Sequence, residues 1–179
     1  MTLPAPGPDR AAVVTGASQG IGAEIARELA RRGHRLVLVA RSEDKLQALA
    51  DELISKGARA DVVPADLADR PTRAALPDRI AELGVTADIL VNNAGFSTMG
   101  RVSGADPDGE MMMVEVDVVA VVDLCTRLLP GMVERGRGAV LNVASTAAFQ
   151  PLPGQAAYGA SKAFVLSYTQ SLVLSLIHI

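Results

Sequence analysis

The sequence predicts an α/β fold in which a parallel sheet is covered by helices on both faces, a doubly wound three-layer arrangement. Short β-rich runs alternate along the chain with amphipathic stretches of helical periodicity. The β-rich runs are apolar on both faces, which is typical of strands buried in a parallel sheet. Glycines follow four of the helical stretches, where a left-handed residue often ends a helix: Gly33, Gly57, Gly84 and Gly136.

Five strands and five helices alternate in this prediction. The strands are expected at residues 11–15, 35–40, 59–64, 88–91 and 139–143. The helices are expected at residues 21–32, 43–56, 70–83, 109–135 and from about residue 155 onward. We therefore expect one domain over residues 1–179, with a flexible, Pro-containing lead at residues 1–10.

Composition fits a globular domain with an apolar core. The 179 residues are 49% hydrophobic and 21% charged, with a formal net charge of −3. The 17 basic and 20 acidic residues are interspersed, so no surface for nucleic acid is indicated. The start lacks the features of a signal peptide, and no apolar run approaches the ~20 residues of a membrane span. We expect a cytoplasmic protein without a membrane span or metal site, whose single cysteine, Cys125, is a buried and unreactive thiol.

A glycine-rich segment joins the first strand to the first helix. It reads Thr-Gly-Ala-Ser-Gln-Gly-Ile-Gly over residues 15–22. Its glycines stand where the pyrophosphate of a dinucleotide would meet the N-terminus of the helix, and small residues let the backbone approach closely. The spacing differs from the general G-x-G-x-x-G fingerprint, but the strand-loop-helix context favours nucleotide binding over a merely tight turn. The expected contacts are Gly16, Ser18, Gln19, Gly20, Ile21 and Gly22.

The end of the second strand bears on which dinucleotide binds. A carboxylate there would hydrogen-bond the ribose 2′-hydroxyl of NAD, but this chain has Ala40 followed by Arg41. A guanidinium can bind a 2′-phosphate bidentately. The sequence therefore favours NADP(H) over NAD(H). A solvated arginine before a helix capped by Ser42 is the alternative.

A tyrosine and a lysine lie four positions apart in the predicted last helix. This spacing puts Tyr158 and Lys162 on one face, one turn apart. A cation beside a phenol favours the phenolate, which suits proton transfer near neutral pH. With Ser145 upstream, a phenol, an ammonium and a hydroxyl come within reach of one carbonyl. The pair taken alone is also compatible with a chance surface arrangement.

Together with Asn-Asn-Ala-Gly at residues 92–95, these segments resemble, in order and spacing, the short-chain dehydrogenase/reductase family. The resemblance covers nearly the whole chain and implies a single-domain Rossmann fold. It implies that Tyr158 is the acid/base when hydride transfer interconverts a ketone and a secondary alcohol, that Lys162 holds the nicotinamide ribose, and that Ser145 binds the oxygen of a small-molecule substrate. For a full-length chain it also implies a homodimer or homotetramer. Further cofactor contacts are implied at Asp66, Leu67, Asn92, Ala94, Gly95, Tyr158 and Lys162; Asn93 is expected to serve the turn.

One residue among the expected catalytic groups departs from the family pattern. Asp117 stands where the family usually has an asparagine that links the lysine to a proton-relay water. We expect Asp117 still to serve this relay and to form an ion pair with Lys162 that weakens the effect of the lysine on Tyr158. The alternative is that Asp117 is a carboxylate on a helix face and has no catalytic role.

The end of the chain is the second departure. Family members continue through a sixth strand, a loop that binds the nicotinamide carboxamide, a substrate lid and a seventh strand, and none is recognisable before Ile179. We expect the fifth strand to form an exposed apolar edge. The alternative function is accordingly a truncated, non-catalytic nucleotide-binding fragment. His34 and His178 are expected to be incidental, and the methionines at residues 111–113 to fill helix and core, with a lipophilic substrate surface as the alternative.

Overall fold

The computed structural model describes residues 3–176 and contains one parallel sheet of five strands. The strands are β1 (Arg10–Thr15), β2 (Arg35–Ala40), β3 (Ala60–Pro64), β4 (Thr86–Asn92) and β5 (Ala139–Asn142). Their order across the sheet is β3-β2-β1-β4-β5, and every neighbouring pair is parallel. The doubly wound α/β prediction is confirmed.

Six α-helices and a π-helical segment lie between and after the strands within the described residues. They are α1 (Gly20–Arg31), α2 (Glu43–Ser55), α3 (Arg70–Glu82), α4 (Pro107–Val114), the π-helical segment Glu115–Val119, α5 (Ala120–Glu134) and α6 (Ala156–Leu176). The four glycines expected to end helices all have positive φ, because only glycine adopts this conformation without steric cost. Of the helices between residues 3 and 176, none combines the length and apolar character needed to cross a membrane.

Both faces of the sheet are buried, and β1 shows how. Ala11 and Val13 belong to a core cluster with residues of α3 and α5, whereas Ala12 and Val14 belong to a second cluster with residues of α1 and α2. Alternate residues of a strand point to opposite faces, so a strand covered by helices on both sides must be apolar throughout. The central position of β1 in the sheet thus explains its uninterrupted run of small apolar residues.

The predicted helix from about residue 109 to residue 135 is present but is not continuous. It begins at Pro107, because the Asp106 carboxylate caps it by accepting hydrogen bonds from Asp108 N and Gly109 N. It is also interrupted by the π-helical segment, which carries Asp117. A π-helical turn inserts an extra residue into the helix, and the Val-rich sequence here has no glycine or proline that would have indicated it.

All three methionines at residues 111–113 lie in α4 as predicted, but only one of them lies in the core. Met113 is buried in the core, but Met111 and Met112 are 61% and 44% exposed. The short α4 offers the core only a narrow face, so two of three consecutive residues must point outward. His34 is buried between α1 and β2, and His178 lies outside the described residues.

The strand β5 occupies the edge of the sheet, as the predicted strand order requires. It pairs with β4 along residues 139–142, and no strand within residues 3–176 pairs with its outer side. Leu141 is 47% exposed there. An apolar edge with free backbone groups is a template for pairing with another strand.

Candidate active site

A cleft of about 740 Å³ opens at the carboxyl ends of the strands. The loops that follow all five strands line it, together with α6. Since β1 and β4 are neighbours from which the chain winds in opposite directions, this is the topological switch point where open α/β sheets bind ligands. The strand order puts Arg41 and Asp66 toward one end of the cleft, the glycine loop at its centre and Ser145 toward the other end.

The N-terminus of α1 faces this cleft without a side-chain cap. Gln19 occupies the N-cap position but makes no capping hydrogen bond, and no acidic residue lies in the first turn. By contrast, Asp69 caps α3 and Asp106 caps α4. Uncapped N–H groups and the helix dipole together attract an anion. The position that a Cβ at Gly20 would occupy is open space, which leaves room for a ligand at the helix entrance.

Gly22 does not line the cleft but allows the glycine loop to close. A Cβ at this position would collide with the carbonyl group of Gly16 and the side-chain amide of Asn93. Gly16 has a φ of 65° and packs against Ala94. The glycines are therefore required for close backbone approach as well as for the turn.

Hydrogen bonds tie the glycine loop to the loop after β4. Thr15 Oγ1 donates to Val91 O at 3.1 Å and accepts from Asn93 N and Ala94 N at 3.0 and 3.1 Å. The amide of Asn93 donates to Thr15 O at 3.0 Å and to Gly16 O at 3.3 Å. Asn93 also lines the cleft. Its role is therefore larger than the turn residue expected from the sequence.

The structure does not bring the Asn92 side chain into the cleft. This side chain is buried below it, where its Nδ2 donates to Asn142 Oδ1 at 2.8 Å and contacts Cys125 Sγ at 3.3 Å. Burial raises the pKa of the Cys125 thiol to about 11, so this thiol stays protonated near neutral pH. The position of the Asn92 side chain therefore does not support the cofactor contact expected from the sequence.

Two cations stand at the end of the cleft near β2. Arg41 is exposed and lines the cleft as expected, with Asp66 and Leu67 from the loop after β3. Lys45 lines it too, and its Nζ donates to Gln19 Oε1 at 3.1 Å. Sequence reasoning missed Lys45. The available signal was its position in the first turn of α2, the helix that begins directly after Arg41 and Ser42.

The three candidate catalytic residues share the other end of the cleft. Tyr158 and Lys162 lie on α6, with Lys162 Nζ 5.7 Å from the centre of the tyrosine ring. Lys162 Nζ donates to Val143 O at 3.4 Å, which anchors α6 beside the end of β5. Ser145 follows β5, and its Oγ accepts from Ala147 N at 3.2 Å. This acceptance leaves the Ser145 hydroxyl proton free to donate into the cleft.

Asp117 lies behind Lys162 and is fully buried. Its Oδ1 accepts from Phe96 N at 3.0 Å, and its Oδ2 lies 3.1 Å from Lys162 Nζ, an ion-pair contact without the alignment of a directed hydrogen bond. Burial raises the pKa of Asp117, and the charge of Lys162 opposes this shift. A Cβ at Gly95 would lie only 2.7 Å from Asp117 Oδ1. The expected ion pair is present, and Gly95 makes room for it.

Comparison with known proteins agrees with this geometry. The chain matches the family model of short chain dehydrogenases over residues 10–178. It is 38% identical over 174 residues to a very-long-chain 3-oxoacyl-CoA reductase of Anas platyrhynchos, covering 93% of this chain and 55% of that protein. It is 37% identical over 164 residues to the NADP-dependent 3-hydroxy acid dehydrogenase YdfG of Salmonella typhimurium, covering 89% of this chain and 64% of that protein. The chain spans about half the length of the first curated relatives it matches.

Solved structures share the fold closely. A metagenomic short-chain oxidoreductase in complex with NADP superimposes with a TM-score of 0.90 at 34% identity, covering 95% of this chain and 77% of that one. L-sorbose reductase from Gluconobacter frateurii, complexed with NADPH and L-sorbose, gives a TM-score of 0.90 at 36% identity, covering 99% and 67% of the two chains. The strand order and the cleft at the carboxyl ends of the strands define a Rossmann-type α/β fold. The chain belongs to the short-chain dehydrogenase/reductase family.

Proposed function

We propose that the protein is an NADP(H)-dependent oxidoreductase that interconverts a ketone and a secondary alcohol. The observation that carries this proposal is the convergence of Ser145, Tyr158 and Lys162 on one end of a cleft whose middle is an uncapped helix N-terminus. The relatives named above support it, since two are reductases or dehydrogenases of hydroxy or oxo compounds and two solved structures hold NADP or NADPH.

The residues present fit NADP(H). The open space at Gly20 and the free N–H groups of α1 suit a pyrophosphate. Arg41 and Lys45 would hold the 2′-phosphate, because both are cations on one wall of the cleft. Asp66 and Leu67 would bind the adenine. The nicotinamide half would lie along Ala94, Gly95, Tyr158 and Lys162.

Proton transfer is the part of the reaction that the chain's own residues perform. NADP(H), when bound, supplies or accepts the hydride. The Tyr158 hydroxyl gives its proton to the carbonyl oxygen in reduction and takes it back in oxidation. The Lys162 ammonium stabilises the phenolate through its charge. The free Ser145 proton donates to the same substrate oxygen and stabilises the negative charge that develops there.

Asp117 is proposed to take part through Lys162 rather than by touching the substrate. Its carboxylate lies 3.1 Å from the lysine, so its charge holds that ammonium in the relay, and it keeps an acceptor where the family has an amide oxygen. The helix-face alternative, a carboxylate without a share, fits less well because Asp117 is fully buried.

A nucleotide-binding module without turnover is the second candidate function. The exposed outer edge of β5 favours it, since within residues 3–176 no strand lies beyond β5 on the side that carries Ser145. A substrate wall is needed to exclude water and to orient a ketone. Binding of NADPH without any turnover would select this candidate.

Activity of the purified chain on a panel of ketones with NADPH tests the proposal. We expect turnover by the wild type and a loss of roughly 10²-fold or more in kcat for Tyr158→Phe, with NADPH affinity retained. Tyr168→Phe is the matched control, since Tyr168 is a half-buried tyrosine on the same helix that packs against the core. Equal rates for Tyr158→Phe and wild type would overturn the catalytic role of Tyr158.

Assembly and location are also proposals. We propose a cytoplasmic homodimer or homotetramer that acts on a small molecule and binds no nucleic acid. Exposed apolar side chains on α6, Phe164, Val173 and Leu174, support association through this helix. Sedimentation velocity on the wild type and on Leu174→Glu tests it: a monomer in both would contradict the oligomer.

A further inference from the structure

Arg73 is a buried cation that sequence reasoning did not single out. It lies on α3 and is 2% exposed. Its Nη1 donates to Leu67 O at 2.6 Å and to Ala68 O at 3.2 Å. An arginine is almost never fully buried unless it is paired, and this one also contacts Glu115 Oε2 at 3.2 Å and Asp123 Oδ2 at 3.3 Å.

These contacts join two separate walls of the cleft. Leu67 and Ala68 belong to the loop after β3, and this loop lines the cleft through Ala65, Asp66 and Leu67. Glu115 begins the π-helical segment, whose next residue, Val116, also lines the cleft. One guanidinium thus bridges the loop to the helix that faces it.

We propose that Arg73 is a positioning residue that fixes the loop at residues 65–68 for the adenine half of the cofactor. This inference rests on the proposed binding of NADP(H). Arg73 does not line the cleft, so it acts through the backbone of Leu67 and Ala68. Of these two residues, Leu67 lines the cleft, and Ala68 directly follows it.

Loss of the guanidinium has a local consequence. The Leu67 carbonyl accepts a short, charge-assisted hydrogen bond in a buried place, and a buried carbonyl without a partner destabilises the fold. The loop can recover this cost only by turning the carbonyl toward water. Such a movement displaces Asp66 and Leu67 but leaves the nicotinamide end, formed by other strands, in place.

Arg35 provides a matched control. It donates to both carboxylate oxygens of Asp61, at 2.7 and 3.0 Å, and to Leu83 O at 3.3 Å. Like Arg73, it therefore holds acidic and backbone acceptors at once. It stands at the first residue of β2, the end of the strand opposite the cleft. Arg35→Met therefore measures how much stability is lost when an arginine with such contacts is removed away from the cleft.

Binding of the two halves of the cofactor tests the inference. Adenosine 2′,5′-bisphosphate probes the adenine half, and reduced nicotinamide mononucleotide probes the other half. For Arg73→Met we expect about tenfold weaker binding of the bisphosphate, unchanged binding of the mononucleotide, and a raised KM for NADPH with kcat within about twofold. Arg35→Met should lower stability without changing either affinity.

If Arg73→Met does not fold, Arg73→Lys replaces it in the test, because lysine keeps the charge but cannot reach all four acceptors. We expect the affinity of Arg73→Lys for the bisphosphate to lie between the affinities of the wild type and of Arg73→Met. Equal weakening of both halves, or loss of stability with unchanged bisphosphate affinity, would overturn the positioning role. If the wild type binds neither NADPH nor the bisphosphate, the proposed function itself is overturned. If the wild type binds both and the Arg73 variants bind them equally well, only the positioning role of Arg73 is overturned.

Discussion

The Lys162 ammonium and the Asp117 carboxylate lie 3.1 Å apart in a region where both side chains are buried. The net charge of this buried pair is zero when both groups are ionised. An asparagine in place of Asp117 would leave the lysine charge unbalanced. The substitution in this chain therefore changes the charge beside the proposed nicotinamide site without changing the shape of the residue.

Asp117→Asn should shift the preference between the two oxidation states of the cofactor. The amide oxygen can still accept from Phe96 N, so we expect the fold to persist. Removal of a buried negative charge disfavours the cationic oxidised nicotinamide, and the ratio of the Kd for NADP⁺ to the Kd for NADPH should rise by roughly three- to tenfold. Titration calorimetry checks this ratio, with the exposed carboxylate of Asp78, changed to Asn, as control. An unchanged ratio would contradict a charge role for Asp117.

Arg41→Ala and Lys45→Ala should each weaken NADPH binding while leaving NADH binding nearly unchanged. Both cations line the same wall of the cleft, and a charge-assisted hydrogen bond contributes about 1.5–3 kcal/mol. We expect about tenfold weaker NADPH binding for either variant. Lys56→Ala is the control, since Lys56 is paired with Glu52 at the far end of α2. If Arg41→Ala keeps its preference for NADPH over NADH, the assignment of Arg41 is wrong.

Gly22→Ala should destabilise the glycine loop. The added methyl group would collide with the backbone of Gly16 and the side chain of Asn93, and overpacking of this kind costs about 1–3 kcal/mol. Urea unfolding measures the loss, and NADPH affinity should fall with it. Gly104→Ala is the control because a Cβ there meets nothing within 4 Å. Equal stability of the two variants would show that the loop adjusts freely.

Stability should fall in mild acid because of His34. Burial lowers the pKa of His34 from its ordinary value of 6.5; the charges of Arg32 and Arg137 lower it further, and the charge of Asp88 opposes the shift. The folded state thus favours the neutral ring, so the stabilisation is present above pH 6.5 and is lost as the pH falls from there toward the lower pKa of the folded state. Urea unfolding between pH 7.5 and 5 measures this slope, which His34→Gln should flatten. Identical slopes in the two proteins would exclude His34 as its source.

Local patterns were sufficient to predict most of the fold. The strands were predicted to within about two residues because a strand covered on both sides must be apolar throughout, as Val13 and Val14 are. The glycines after the helices marked the helix ends, because glycine adopts the positive φ found there without steric cost. The π-helical segment could not be predicted, since its sequence, Glu115–Val119, contains no glycine or proline that would mark an interruption of the helix.

The site was predictable where a motif fixes a residue, and not where a long-range contact does. Tyr158, Lys162 and Ser145 share the cleft as expected. Asn92 and Asn93 are neighbours in the sequence, yet only Asn93 lines the cleft, because successive residues at a strand end point in opposite directions. Arg73 acquires its importance from partners far along the chain, such as Glu115 and Asp123.

Direct titration of the purified chain with NADPH and with NADH tests the central claim, that the cleft from Arg41 to Tyr158 is a cofactor site. We expect saturable binding of one NADPH per chain, about tenfold or more tighter than NADH, because only NADPH carries the phosphate that Arg41 and Lys45 would hold. Absence of saturable NADPH binding, or equal affinity for the two dinucleotides, would contradict the account.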